Sequence, residues 1–334
     1  MKTYNAYITL DYELFLGSKP GTPEKCLVEP MDALSEMCRK YSIPLNVFVD
    51  ASYLLKLFEL KDQHARMDKD YNLVSSHITR LDKEGHAINL HLHPQWIGAS
   101  YNKDQWSLPP MPYKLSDLTI DNQKQLIENG VNILNSLISK RVKAFRAGGY
   151  SFENFPELRG TLKSCGVMID TSVLRGEYVK EEYHSYDYRR VPKRTSYPIS
   201  DSLTVIDMQS DMIEFPISTI VVNPLAFLIN KHLKRQNANG DIPPRKFGDG
   251  CAISIPGGAW GKVKHKIGQL FTTKCLRASV EDPKNLERVL SYVKTHYEGD
   301  DFVIIGHPKN LSPRSIYIFE QFIIHHPELN FVTF

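Results

Sequence analysis

Two short stretches carry residue types that could do chemistry together, Thr9-Leu10-Asp11-Tyr12-Glu13 and Asn89-Leu90-His91-Leu92-His93-Pro94-Gln95-Trp96. In an extended strand successive side chains alternate faces, so His91 and His93 share a face with Asn89 while Leu90 and Leu92 take the other. Asp11 and Glu13 are likewise two apart and share a face. A carboxylate with two imidazoles makes a catalytic metal triad that leaves positions for water and substrate. The same residues could also serve as hydrogen-bonded lining of a barrel.

Such groups meet only if strand ends converge, and the rest of the chain is patterned for that. Tyr4 to Leu10, Ile43 to Val49, Ala87 to Leu92, Lys143 to Phe145, Val167 to Asp170 and Phe302 to Gly306 read as buried strands. Helical stretches alternate with them. One carries the stripe Met31, Leu34, Met37, Cys38 and Tyr41, one runs from Tyr71 to Glu84, and one is marked by Leu126, Ile127, Val131, Leu134, Leu137 and Ile138. Others cover roughly 153–164 and Pro283 to His296, and Ser312-Pro313 caps a last helix. Thr204 to Met208, Met212 to Pro216 and Phe331 to Phe334 read as further strands. This alternation predicts a parallel α/β sheet closed as a barrel, with the chemistry at strand ends. No repeat or linker divides the chain, so residues 1–334 are expected to form one catalytic domain with loop excursions near 94–115, 175–201 and 237–250. The first excursion holds Trp96, Tyr101, Trp106 and Tyr113, suited either to stacking on sugar faces or to packing over a barrel mouth.

Composition narrows the partners. The 334 residues carry 41 Lys and Arg against 38 Asp and Glu, a balance that does not indicate nucleic-acid binding. Five scattered cysteines with no CxxC pair fit reduced, mostly buried thiols. The N-terminal residues lack the pattern of a signal peptide, which gives a cytoplasmic expectation. Ile217 to Leu233 is apolar but interrupted by Asn223, Pro224, Asn230, Lys231 and His232, so it reads not as a transmembrane helix but as a docked surface helix with Asn223 as its cap and Pro224 in its first turn. Its basic end, Lys231, Lys234 and Arg235, leaves open a peripheral contact with a membrane that carries lipid-linked substrate.

Five motifs now fall in order: Thr9-Leu10-Asp11-Tyr12-Glu13, Gly85-His86-Ala87-Ile88-Asn89-Leu90-His91, Arg146-Ala147-Gly148-Gly149-Tyr150, Ile169-Asp170-Thr171-Ser172 and Ile304-Ile305-Gly306-His307-Pro308. Together they resemble the polysaccharide deacetylase superfamily with NodB homology, the group that includes carbohydrate esterase family four. The resemblance implies a distorted (β/α) barrel of about seven parallel strands and a metal-dependent deacetylase acting on N-acetylated, sometimes O-acetylated, sugars. It implies Asp11 as catalytic base, Arg146 as the residue orienting it, Tyr150 with its backbone N–H at the oxyanion, His91 as a metal ligand and His307 as general acid.

Two departures from the family pattern alter the ligand set. Tyr12 stands where a second consecutive aspartate is usual, so the carboxylate ligand is Glu13 or Asp11 itself. Gln95 stands where the second histidine is usual, and His93 on the same strand face is the substitute. The His-Leu-His-Pro form is similar to a divergent branch associated with bacterial surface-polysaccharide biosynthesis. The expected cofactor is a divalent transition metal, zinc for choice, held by Glu13, His91 and His93. Trp96, Trp106 and Asp170 are candidates on the substrate side. The expected reaction is N-deacetylation of an amino sugar in a glycan, lipid-linked glycan or sugar precursor. The alternatives are a deformylase or other amidase on an N-acylated sugar, and a catalytically silent carbohydrate-binding relative.

Overall fold

The computed structural model describes residues 2–181, 185–222, 242–252 and 274–334. Its main sheet is built, in chain order, from β1 (Tyr4–Tyr12), β2 (Asn46–Asp50), β3 (Ala87–Leu92), β4 (Ala144–Ala147), β5 (Ile169–Asp170), β6 (Tyr197–Ile199), β7 (Met212–Glu214), β8 (Asp301–Gly306) and β9 (Leu329–Phe331). The spatial order is β6-β7-β5-β4-β3-β2-β1-β8, with β9 also paired to β1. Every pairing is parallel except β6 with β7. The sheet curls into a half-barrel. Its open side is crossed by the chain leaving β7, where Ile217 N donates to Val173 O at 2.9 Å and Ser218 N to Val303 O at 3.0 Å.

Strands buried on both faces need helices over them, and the connections supply these. The helices are α1 (Glu29–Arg39), α2 (Ala51–Leu60), α3 (Ala65–Lys83), α4 (Ile120–Asn135), α5 (Phe155–Ser164), α6 (Leu286–His296) and α7 (Pro313–His325). Their starts follow local chemistry. Asp50 ends β2 and caps α2 by accepting from Ser52 N, Thr119 caps α4, and Ser312 caps α7 by accepting from Ser315 N, with Pro313 in the first turn. In α1 the residues Met31, Leu34, Met37 and Cys38 are buried, whereas Tyr41 lies past the helix end and is exposed.

Some expectations fail for visible reasons. Thr204 to Met208 forms no strand, because Ser202 and Asp207 side chains accept from the backbone N–H groups of Thr204 and Gln209 and build turns instead. The stretch 175–201 is not only an excursion, since its end supplies β6 to the main sheet and its start a small hairpin, Tyr178–Lys180 with Ser185–Asp187. Thr219–Val222 pairs with Lys274–Arg277, a strand pair the pattern did not reveal. The helix expected from Asn223 onward lies outside the described residues. Among the described residues no helix is long and apolar enough to cross a membrane.

Candidate active site

Parallel strands bring their carboxyl ends to one side of the sheet, and the chemically capable residues leave from there. β1 delivers Asp11 and then Glu13, β3 delivers His91 and then His93, and β4 delivers Arg146, which pairs in register with His91. Leu10 pairs with Gly306, so His307, the residue after β8, emerges beside Asp11. His93 lies one residue past β3 yet keeps extended angles (φ −120°, ψ 98°), which preserves the alternation that puts it on the face of His91.

Glu13, His91 and His93 form a three-residue group whose ligand atoms all lie within 4.8 Å of one another. His91 Nδ1 donates to the Arg146 carbonyl at 2.8 Å, which leaves Nε2 as the inward-facing atom. That Nε2 is 3.1 Å from both Glu13 Oε2 and His93 Nε2, and His93 Nε2 also contacts Glu13 Oε2. Two ~2.1 Å bonds at a tetrahedral angle place donor atoms ~3.4 Å apart, so this spacing suits one zinc-sized ion. Burial lowers the His91 pKa, but Asp11 and Glu13 outweigh burial and bring it to about 9. Gly148 makes room for His93, since a Cβ there would lie 2.4 Å from Leu92 O and 2.8 Å from His93 Nδ1.

The second group surrounds Asp11. Arg146, fully buried, donates from Nη1 to Asp11 Oδ1 at 2.5 Å, from Nη2 to Thr9 Oγ1 at 2.8 Å and from Nε to Thr171 O at 3.0 Å. Its guanidinium also lies 4.4 Å from the centre of the Phe48 ring. Burial pushes the Asp11 carboxyl up, but Arg146 first, then His91 and His307, more than offset this and hold it below its ordinary value. His307 Nε2 is 3.6 Å from Asp11 Oδ2, and its Nδ1 is 3.2 Å from Glu281 Oε1. Burial lowers the His307 pKa while Glu281 and Asp11 raise it, with a net upward shift. Tyr150, at a left-handed φ of 61°, places its hydroxyl 3.5 Å from His307 Nε2.

Three candidates stand elsewhere. Trp96 is fully buried, its ring against Tyr53 at 4.6 Å and Trp106 at 5.1 Å, and it offers no face to a ligand. Trp106 is half-buried in the same cluster, against Tyr101 as well. The short helical turn Pro94–Gly98 directs Trp96 inward, so packing, not sugar stacking, is its role. Asp170 faces Glu214 across the β5–β7 register and is held by Ser172. Burial raises the Asp170 pKa although its hydrogen bonds to Glu214 and Ser172 oppose the shift, and burial together with Asp170 raises that of Glu214, so Asp170 is fully buried in a pair with a second acid.

Two site residues escaped the sequence reading. Lys309 donates to Glu13 Oε1 at 2.8 Å, and its place two residues after His307 was the available signal. Glu281 reaches His307 from a loop with no pattern to mark it.

No family model and no curated protein matches the sequence. Solved structures to which the chain is similar include a Mycobacterium smegmatis protein assigned as a polysaccharide deacetylase, at 11% identity and TM-score 0.49, covering 99% of this chain and 87% of that one. Another is the Puue allantoinase, at 10% identity and TM-score 0.45, with coverage of 98% and 86%. A third is a Clostridium thermocellum family 4 acetyl xylan esterase in complex with a cobalt ion, at 14% identity and TM-score 0.29; there the match covers 51% of this chain and 58% of that one.

Proposed function

We propose that the protein is a metal-dependent deacetylase that hydrolyses the N-acetyl group of an amino sugar in a surface polysaccharide, a lipid-linked glycan or a sugar precursor. The observation that carries this reading is a Glu13–His91–His93 group beside a separate base-and-acid pair, Asp11 on Arg146 and His307 on Glu281, with His307 Nε2 3.9 Å from Glu13 Oε1. Glu13, His91 and His93 would hold the ion, zinc by the chemistry of the donor set. When bound, such an ion polarises an acyl carbonyl and acidifies water from ~16 towards ~7.

The chain's own residues account for the remaining steps. Asp11, kept ionised by Arg146, takes the proton of the attacking water. Tyr150 offers its backbone N–H to the oxyanion. His307, kept protonated by Glu281, gives its proton to the departing nitrogen, without which the tetrahedral intermediate returns to substrate. Asp11 and His307 lie near opposite ends of the chain, which supports taking residues 1–334 as one catalytic unit.

The test is acetate release from acetylated amino sugars and their oligomers by zinc-loaded protein. Release that disappears on chelation and returns with zinc is the expected result. Glycan binding with no release from any acylated sugar would count against an enzyme.

A further inference from the structure

Lys309 is a buried charged group beside the site that the proposed reaction leaves unused. Only 7% of it is exposed, and its ammonium donates to Glu13 Oε1 at 2.8 Å and to the Leu14 carbonyl at 2.7 Å, beneath the ring of Phe15. An ammonium at such depth is costly unless fully partnered, and here one partner is the carboxylate whose other oxygen, Oε2, faces His91 and His93. Glu13 therefore divides its two oxygens between a cation of the chain and the metal-capable pair. The Lys309 side chain reaches it from the turn Pro308–Asn310, immediately after the candidate acid His307.

We infer that Lys309 is a positioning residue that confines Glu13 to one-oxygen ligation. This rests on the metal-site reading above. A carboxylate with both oxygens free can close on an ion through both, filling a position that water and acyl oxygen need. An ammonium on Oε1 prevents that. It also withdraws charge from the ligand, so the ion is held less tightly but polarises its other partners more strongly. A purely structural lysine would act differently: its loss would disturb Glu13 and weaken metal binding.

Cobalt(II) alone is the probe, because its visible absorption is strong at four ligands and weak at six. Apoprotein of the wild type, Lys309→Met and Lys309→Gln is titrated with Co2+, and kcat and KM are measured on the zinc-loaded forms. The expected result is one Co2+ per wild-type chain with a strong band. Both variants should bind Co2+ about tenfold or more tightly, with a band weakened severalfold and kcat lowered about tenfold at similar KM. Weaker or unchanged affinity with an unaltered band in whichever variant folds would overturn the role of Lys309 while leaving the metal site standing. A wild type that takes up no Co2+ would overturn the metal reading itself, and this inference with it.

Discussion

Asp11 and Glu13 leave one strand two residues apart, and each has one oxygen held by a buried cation, Arg146 for Asp11 and Lys309 for Glu13. Their second oxygens meet different company. Asp11 Oδ2 faces His307 at 3.6 Å, whereas Glu13 Oε2 faces His91 at 3.1 Å and also His93. Both carboxyls are held below their ordinary values against burial, Asp11 by Arg146 and Glu13 by Lys309 and the two histidines. Charge state therefore does not separate them. What separates base from ligand is the group facing the free oxygen, a proton carrier in one case and two metal-capable nitrogens in the other.

The comparison is broken most severely at Asp11. Asp11→Asn keeps the shape and removes the proton acceptor, so kcat should fall by about 1,000- to 10,000-fold while metal content stays at the wild-type level. Steady-state kinetics with elemental analysis checks both halves. His307→Ala should cost somewhat less, about 100- to 1,000-fold in kcat, with metal and substrate affinity retained. Because the His307 pKa is raised from its ordinary 6.5 by Glu281 and Asp11, the acid form persists to higher pH than in a free imidazole, and wild-type activity should decline on the alkaline side. That limb should flatten in His307→Ala. An unchanged pH profile in the variant would assign the proton to another group.

A smaller effect probes the tyrosine between the two carboxylates. Tyr12 OH donates to His77 Nδ1 at 2.8 Å, and His77 Nε2 faces Asp32 at 3.2 Å, so this histidine is placed to stay neutral. Burial outweighs Asp32 and lowers its pKa from 6.5 to about 4. Between those values the unfolded chain binds the proton and the folded chain does not, so stability is intact above pH 6.5 and falls as pH drops towards 4. The loss is on the order of 3 kcal/mol. Thermal unfolding at stepped pH should show it, and His77→Gln should remove most of that slope. A slope unaltered in the variant would place the acid sensitivity elsewhere.

How much of this was legible in the sequence follows from periodicity. Alternation along β1 and β3 sufficed to pair Asp11 with Glu13 and His91 with His93, and His93, one residue past β3, keeps the extended angles that the alternation needs. It did not decide which carboxylate faces the histidines, since that depends on where Arg146 arrives from β4 and Lys309 from the turn after β8. Glu281 and Lys309 lie in connections without a repeat to read. Trp96 could not be placed either, because an aromatic in a proline-rich loop suits a sugar as well as a core, and only the turn at Pro94–Gly98 directs it inward. Asp170 acquired its partner Glu214 through a strand pairing that spans more than forty positions of sequence, beyond the reach of any local pattern.

The central claim is that Glu13 with His91 and His93 holds a metal that Asp11 does not. Its most direct test is the metal content, by elemental analysis, of wild type, Asp11→Asn, Glu13→Gln and His91→Ala proteins purified without added metal. One divalent transition-metal ion per chain in wild type and Asp11→Asn, with little or none in Glu13→Gln and His91→Ala, is the predicted result. Loss of the ion from Asp11→Asn with retention in Glu13→Gln would contradict it and reverse the two roles.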